Sequence, residues 1–432
     1  MFVRVVYNLL MTIGVIVFSP LIFVKVILTP KYRRRFAGRL GFGPGPETGI
    51  ASSAVPRIWV HALSVGEVAS VRTLVRELRR AYPEGVLFFS ATTLAGEDFA
   101  RATFGHDVDF FVSSPLDLLW SVRRIVSRVR PDLFVLVETD FWANILAELG
   151  RMGVSCLLVN GRISERSFRS YRRLRCFFLP LFDSFRYLAM QTEQDAENMR
   201  RLGVEAGKLR VLGNLKYDSV RPDGQAGAME RATLGIPPKA RLWVAGSTHP
   251  GEEEVLFEAL SRLVSPFPDL VLVVAPRDIS RGAELRRLAT RYGFAAGCRS
   301  ESASFVPGVL ILDSLGELAS LYSLCDLAFV GGSLVPERGH NPLEPAVYGK
   351  PVFFGPHMED FAEISRDLLA AGAAGQVRHS EEMAAFVSRL LVDDSCRNRM
   401  GDMGKKMLAA REGVTARHLA LISEVLGAGG KR

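Results

Sequence analysis

At 432 residues the chain exceeds what one hydrophobic core ordinarily organises and implies two or three domains of about 150 residues each. With 48% hydrophobic and 23% charged residues it is neither disordered nor fibrous. Lys and Arg outnumber Asp and Glu by 54 to 46, a net charge of +8 that favours an anionic substrate or a membrane surface over a neutral partner.

Residues 5–24 form an apolar run of about the length a helix needs to cross a bilayer, bracketed by Arg4 and Lys25. Lys31, Arg33, Arg34, Arg35 and Arg39 follow, a basic cluster expected to stay cytoplasmic and to attract anionic phospholipid. No small-residue cleavage site comes after the run, so the reading is an uncleaved membrane anchor, spanning or lying in the interface plane. The Gly/Pro-rich stretch from Gly41 to Pro56 reads as a linker, because its glycines follow no strand and open no helix.

From Arg57 to about Gly213, short apolar runs alternate with helical patterns. The expected strands are Ile58–Leu63, Gly85–Ala91, Asp132–Val137, Val154–Val159, Tyr187–Met190 and Leu209–Leu212. Such near-continuous apolar strands suit a parallel sheet covered on both faces. After the first strand comes Ser64-Val-Gly66-Glu67, a tight turn into a helix whose Val68, Val71, Leu74, Val75 and Leu78 keep helical spacing. Ligands of open α/β sheets bind at the carboxyl ends of strands. Glu67 therefore has two readings: a general base beside a glycine that admits a substrate, or an acid complementing the helix N-terminus.

Glu138 in Glu138-Thr-Asp140-Phe-Trp142 follows the third expected strand on the same rim. It reads as a second carboxylate able to orient Glu67 or grip a hydroxyl, or as a neighbour of a helix cap at Thr139 or Asp140. Between Asn160 and Arg175, six arginines including Arg162 and Arg166 interleave with aromatic residues, which points to lipid phosphate or to a solvated helix face. No RNA-binding signature accompanies it, so no nucleic acid is expected.

Pro222 to Pro238 reads as a hinge, after which βα alternation resumes with strands at Leu242–Ala245, Leu270–Ala275, Val309–Leu312, Leu327–Val330 and Val352-Phe353. Gly246-Ser247-Thr248-His249 reads as a turn whose backbone N–H groups cradle a phosphate, or as simple helix caps. Gly331-Gly332-Ser333 and Gly339-His340-Asn341-Pro342-Leu-Glu344 form the densest polar constellation, a nucleotide site in which Glu344 could accept from ribose hydroxyls. Helical patterns close the chain at 360–371, 381–391 and 397–426. No Asp-x-Asp metal motif, Walker loop or G-x-S-x-G elbow appears, and Cys156, Cys176, Cys298, Cys325 and Cys396 lack metal or disulfide spacing.

These segments together resemble the GT-B glycosyltransferases, and more closely the Kdo (3-deoxy-D-manno-octulosonic acid) transferase family. The resemblance covers the anchor, His61 to Glu67, Glu138 to Trp142, Asn160-Gly-Arg162, Gly213-Asn-Leu-Lys216-Tyr-Asp218, Gly246 to His249, Pro276-Arg277 and Gly339 to Ala346. The chain departs from the family's usual pattern at Ala143, where Pro is common, and at Asp278, where His is frequent. The resemblance implies two Rossmann-like domains facing each other across a cleft: anchor 1–30, basic linker 31–56, acceptor domain 57–221, CMP-Kdo domain 222–405 and a closing helix 406–432 that crosses back to the first domain. It further implies inverting, metal-independent transfer of Kdo from CMP-Kdo to a lipid A precursor at the cytoplasmic face of the inner membrane, with no cofactor. Glu67 would be the base; Ser64, Gly66, Glu138, Arg162 and Arg166 would hold or orient the acceptor. Lys216, Ser247, Thr248, His249, Pro276, Arg277, Gly331, Gly332, Ser333, His340, Asn341 and Glu344 would bind the donor. An enzyme of the same architecture using a UDP-sugar and a membrane-tethered binding protein are the alternatives.

Overall fold

The computed structural model describes residues 2–42, 56–139, 141–220, 231–301 and 308–429. Most of the linker from Gly41 to Pro56, Asp140 and the first part of the hinge lie outside these residues. The chain forms two compact units, one of residues 1–219 with 413–432, the other of residues 220–412.

The first unit is built on seven parallel strands: β1 (Arg57–Ala62), β2 (Val86–Ala91), β3 (Phe110–Phe111), β4 (Leu133–Val137), β5 (Ser155–Gly161), β6 (Tyr187–Met190) and β7 (Leu209–Val211). Their order across the sheet is β3-β2-β1-β4-β5-β6-β7, so the direction of winding reverses between β1 and β4. The expected strands are all present, and the two-residue β3 is too short to leave a pattern in the sequence. Both sheet faces are covered, which explains the unbroken apolar runs. In β1, Ile58, Val60 and Ala62 enter one core while Trp59 enters the other; in β4, Val135 and Val137 face the first and Phe134 and Leu136 the second.

The last helix, Val414–Gly429, belongs to this unit and adds Val414, Leu421, Ile422 and Val425 to its core. Asp218 fixes its start by accepting the N–H groups of Gly413 and Thr415 at 3.1 and 2.6 Å. The helical pattern read as continuous over 397–426 is therefore two helices, Asp394–Ala409 and Val414–Gly429. They are parted at Gly413, whose φ of 80° takes it out of helical backbone.

The first helix, Phe2–Leu28, also lies on the first unit. Tyr7 donates to Asp117 at 2.7 Å, and Asn8 exchanges amide hydrogen bonds with Asn144 at 3.0 and 2.8 Å. Beyond them Leu9, Leu10, Ile13, Ile16, Val17, Phe18 and Leu21 are exposed. Among the described residues no helix is long and apolar enough to cross a membrane. Polar residues so placed tie the start of this helix to protein.

The second unit repeats the plan with β8 (Arg241–Thr248), β9 (Leu270–Pro276), β10 (Ala296–Cys298), β11 (Val309–Ile311), β12 (Leu327–Val330), β13 (Val352–Phe354) and β14 (Ala374–Gln376). The order is β10-β11-β9-β8-β12-β13-β14, all parallel, with its reversal between β8 and β12. Trp243, Leu272, Val274, Phe329 and Phe353 meet the helix Glu252–Leu263 on one face of the sheet.

Candidate functional site

Glu67 and Glu138 follow β1 and β4, and Gly246 to His249 and Gly331 to Ser333 lie at the ends of β8 and β12, the strands between which each sheet reverses and where open α/β sheets bind ligands. In the first unit β1 runs into an extended Ser64, and Glu67 occupies the first turn of the short helix Val65–Ser70. The Glu67 side chain turns back on the strand end, its Oε2 accepting the Leu63 N–H at 2.5 Å, and is 6% exposed. The bond fixes a carboxylate at the strand tip, while Ser64 makes no side-chain cap to the helix and Gly66 is exposed beside it.

Glu138, the second carboxylate expected to orient Glu67 or grip a hydroxyl, lies at the end of β4. Its backbone is left-handed at φ 60°, and its buried carboxylate accepts from Asn160 Nδ2 at 3.2 Å and pairs with Arg162 Nε at 3.1 Å. A non-glycine residue held at positive φ is strained, and such strain is retained where the surroundings over-determine it. Asn160, also left-handed at φ 54°, accepts the Leu215 N–H at 2.9 Å and so joins β5 to the segment leading to Lys216. Lys216 itself lies in the first unit, on the helix Lys216–Ser219, separate from the unit that carries the other residues assigned to the donor.

Arg166 is exposed on the helix Glu165–Arg173, with Arg169, Arg172 and Arg173. Phe168 and Phe182 are buried in the core, and Tyr171 packs on Phe178 with ring centroids 4.3 Å apart. The segment is thus a basic surface over an aromatic core, since a helix separates residues three and four apart from those between.

In the second unit, residues 246–248 are strand, not turn. A register shift between Gly246 and Thr248 accompanies left-handed backbone at Ser247 (φ 57°). Thr248 is fully buried and donates to Glu253, and the His249 N–H goes to Glu252, so neither group is open to a phosphate. The backbone N–H groups of Gly331-Gly332-Ser333, in the constellation read as a nucleotide site, are likewise engaged. The Gly331 N–H bonds Gly246 O at 2.9 Å, and those of Gly332 and Ser333 bond the Glu252 carboxylate at 2.7 and 2.9 Å. Ser333 is buried, with its hydroxyl on Val330 O.

What remains at this rim is a set of side chains. Pro276 ends β9 and delivers Arg277, which is exposed and forms no ion pair among the described residues. His249 and His340 stack at 14° with Nε2 to Nε2 of 2.8 Å, and burial with the Arg277 charge holds His340 down at about 4. Asn341 Oδ1 accepts the Leu343 N–H at 3.1 Å, opening the one-turn helix Leu343–Ala346 that carries Glu344. Burial pushes Glu344 up to about 7, opposed by Arg277 and by the Asn341 hydrogen bond. The sequence reading missed Tyr322, whose buried ring lies under Gly246 so closely that a Cβ there would collide with the hydroxyl. It also missed Glu252 and Glu253, which open a helix and so read as ordinary dipole-complementing acids. No group of three or more His, Cys, Asp or Glu able to hold a metal ion occurs among the described residues.

A family model described as 3-deoxy-D-manno-octulosonic-acid transferase matches residues 34–219. The 3-deoxy-D-manno-octulosonic acid transferase of Haemophilus influenzae is 32% identical over 93% of this chain and 93% of its own. The chain belongs to the 3-deoxy-D-manno-octulosonic acid transferase family. It is therefore a glycosyltransferase. The transferase of the same description from Chlamydophila psittaci is 30% identical over 89% of this chain and 90% of its own. In fold the transferase is similar to UDP-GlcNAc 2-epimerase from Neisseria meningitidis, with a TM-score of 0.60 at 12% identity over 85% of this chain and 99% of that one. It is also similar to a glycosyltransferase from Rickettsia africae, with a TM-score of 0.58 at 11% identity over 86% and 99% of the two chains. Two parallel seven-stranded sheets and these likenesses make the transferase GT-B-like.

Proposed function

We propose that this transferase moves Kdo from CMP-Kdo to the 6-hydroxyl of the distal glucosamine of a lipid A precursor, inverting the anomeric centre without a metal cofactor. What carries the reading, given family membership, is the Glu67 carboxylate fixed at the tip of β1 where the first sheet reverses. As general base Glu67 takes the proton of the acceptor hydroxyl while that oxygen attacks the donor sugar. Glu138 holds Arg162 toward the acceptor. In the second unit Asn341 and Glu344 bind the ribose. Arg277, exposed and without an ion pair among the described residues, offsets charge on the departing CMP.

The exposed apolar side of the first helix and the exposed arginines of Glu165–Arg173 support attachment to phospholipid, with the helix lying in the interface at the cytoplasmic face of the inner membrane. The test is incubation of the full chain with CMP-Kdo generated in situ and a tetra-acylated acceptor, read by product mass. Transfer by the wild type, its loss in Glu67→Ala and retained CMP binding by that variant are expected. Substantial turnover by Glu67→Ala would remove Glu67 as base, and transfer from a UDP-sugar but not from CMP-Kdo would overturn the donor.

A further inference from the structure

Glu252 takes no part in the chemistry above, yet it is fully buried and has no ion pair among the described residues. Its charge is met by backbone alone. Oε2 accepts the N–H groups of Gly332 at 2.7 Å and His249 at 2.9 Å, while Oε1 accepts those of Ser333 and Leu334, both at 2.9 Å. A buried carboxylate is tolerated when hydrogen bonds replace its hydration, and four amide donors fill the capacity of its two oxygens.

Three of these bonds join the start of the helix after β8 to the loop after β12, the strands flanking the reversal of the second sheet, and the fourth ties in His249 from the connection between β8 and that helix. The far end of the same loop follows, because Gly332 O accepts the Gly339 N–H at 2.8 Å and Gly331 O accepts the His340 N–H at 3.2 Å. The His340 ring then lies against Gly332 and on His249, Nε2 to Nε2. Such a bond needs one nitrogen protonated and the other bare, so it forms only where the two backbones are held in register.

We propose that Glu252 is a positioning residue of the donor nucleotide site, setting His249, His340 and the loop that leads to Asn341 and Glu344 through four backbone amides. The proposal rests on the donor-site reading of those residues. A carboxylate is required because glutamine offers one acceptor oxygen and one NH2 group. In Glu252→Gln two of the four N–H groups therefore face another donor, and the loops separate with little change in side-chain volume.

The experiment uses the full chain, with CMP binding by calorimetry, steady-state kinetics varied separately in donor and acceptor, and thermal unfolding. Glu252→Gln is expected to raise the Kd for CMP and the donor KM by about ten- to hundredfold, leaving the acceptor KM within about twofold. It also removes the NMR signature of the His249–His340 hydrogen bond. Glu252→Gly should regain CMP affinity on addition of formate, a carboxylate small enough to fill the vacated space, whereas Glu344→Ala should not. If Glu252→Gln does not fold, Glu252→Asp is measured in the same way, its carboxylate being one methylene short.

Wild-type CMP affinity in the Glu252 variant overturns the proposal. So does a fall in melting temperature that impairs donor and acceptor alike with no formate response, which marks a purely structural role. A wild-type chain that shows no preference for CMP over UMP and AMP instead overturns the donor-site reading, whatever Glu252 does.

Discussion

His418, on the last helix, accepts the backbone N–H of Asn160 at 3.3 Å through Nε2 while its Nδ1 contacts Val414 O at 2.9 Å. A carbonyl only accepts, so Nδ1 carries the proton and Nε2 is bare: the imidazole is neutral. Burial holds its pKa down at about 4. Asn160 in turn holds Glu138 and the Leu215 N–H, so the end of the chain supports the rim of the first unit.

A group whose folded pKa lies below its unfolded value of about 6.5 adds stability at higher pH, and that contribution is lost as pH falls through 6.5 toward 4. Wild type should therefore lose stability relative to His418→Gln on acidification from pH 7 to pH 5, by up to about 1.4 kcal/mol per pH unit. Urea unfolding of both proteins across that range checks it. Parallel curves would show that His418 is not held neutral.

Glu344 behaves oppositely. With its folded pKa raised from 4.5 to about 7, its contribution to stability is present at low pH and is lost as pH rises through that window. If the ionised carboxylate accepts from the ribose, CMP affinity increases as pH climbs through about 7 in the wild type. In Glu344→Gln both the affinity and the relative stability should lose this dependence. Calorimetry with CMP between pH 6 and pH 8.5 and unfolding between pH 4.5 and pH 7 read the two effects separately.

The Glu138–Arg162 pair is asymmetric, with side chains 5% and 40% exposed. Removing the buried partner leaves the Asn160 amide unsatisfied, whereas removing the exposed one leaves Glu138 its bond to Asn160. Glu138→Ala should cost about 1–3 kcal/mol and Arg162→Ala less than about 1 kcal/mol. Equal losses in urea unfolding would mean that the carboxylate is better solvated than its position indicates.

For membrane attachment, Ile13, Val17 and Leu21 are exposed on the first helix, away from the Tyr7 and Asn8 contacts. Replacing all three by serine removes roughly 1.5–3 kcal/mol of apolar burial per side chain where each enters the interface. Flotation with vesicles containing anionic lipid should fall sharply while the melting temperature stays constant. Retained flotation would assign attachment to the arginines of Glu165–Arg173 instead.

Much of this molecule was legible in its residues. Two-sided burial makes parallel strands read as apolar runs, so β1, β4, β6 and β12 stood out, and the polar groups just beyond them marked the rims because strand ends lead into ligand-facing loops. Family resemblance added the chemistry.

Hydrogen-bond ownership was not legible, because periodicity reports which face is buried and says nothing of which donor meets which acceptor. Glu252, Glu253 and Glu254 look alike as a first-turn acid run. Only folding sends Glu252 to four amides and Glu253 to Thr248 and Arg281. In the same way the pattern over 397–426 ran on as one helix until Gly413 and Asp218, 195 positions apart, ended one helix and started another. The amino-acid order by itself set the alternation of strand and helix, through local propensity and two-sided burial. Which amides stay open to a ligand depends on residues far apart in the chain, and only the tertiary structure decided it.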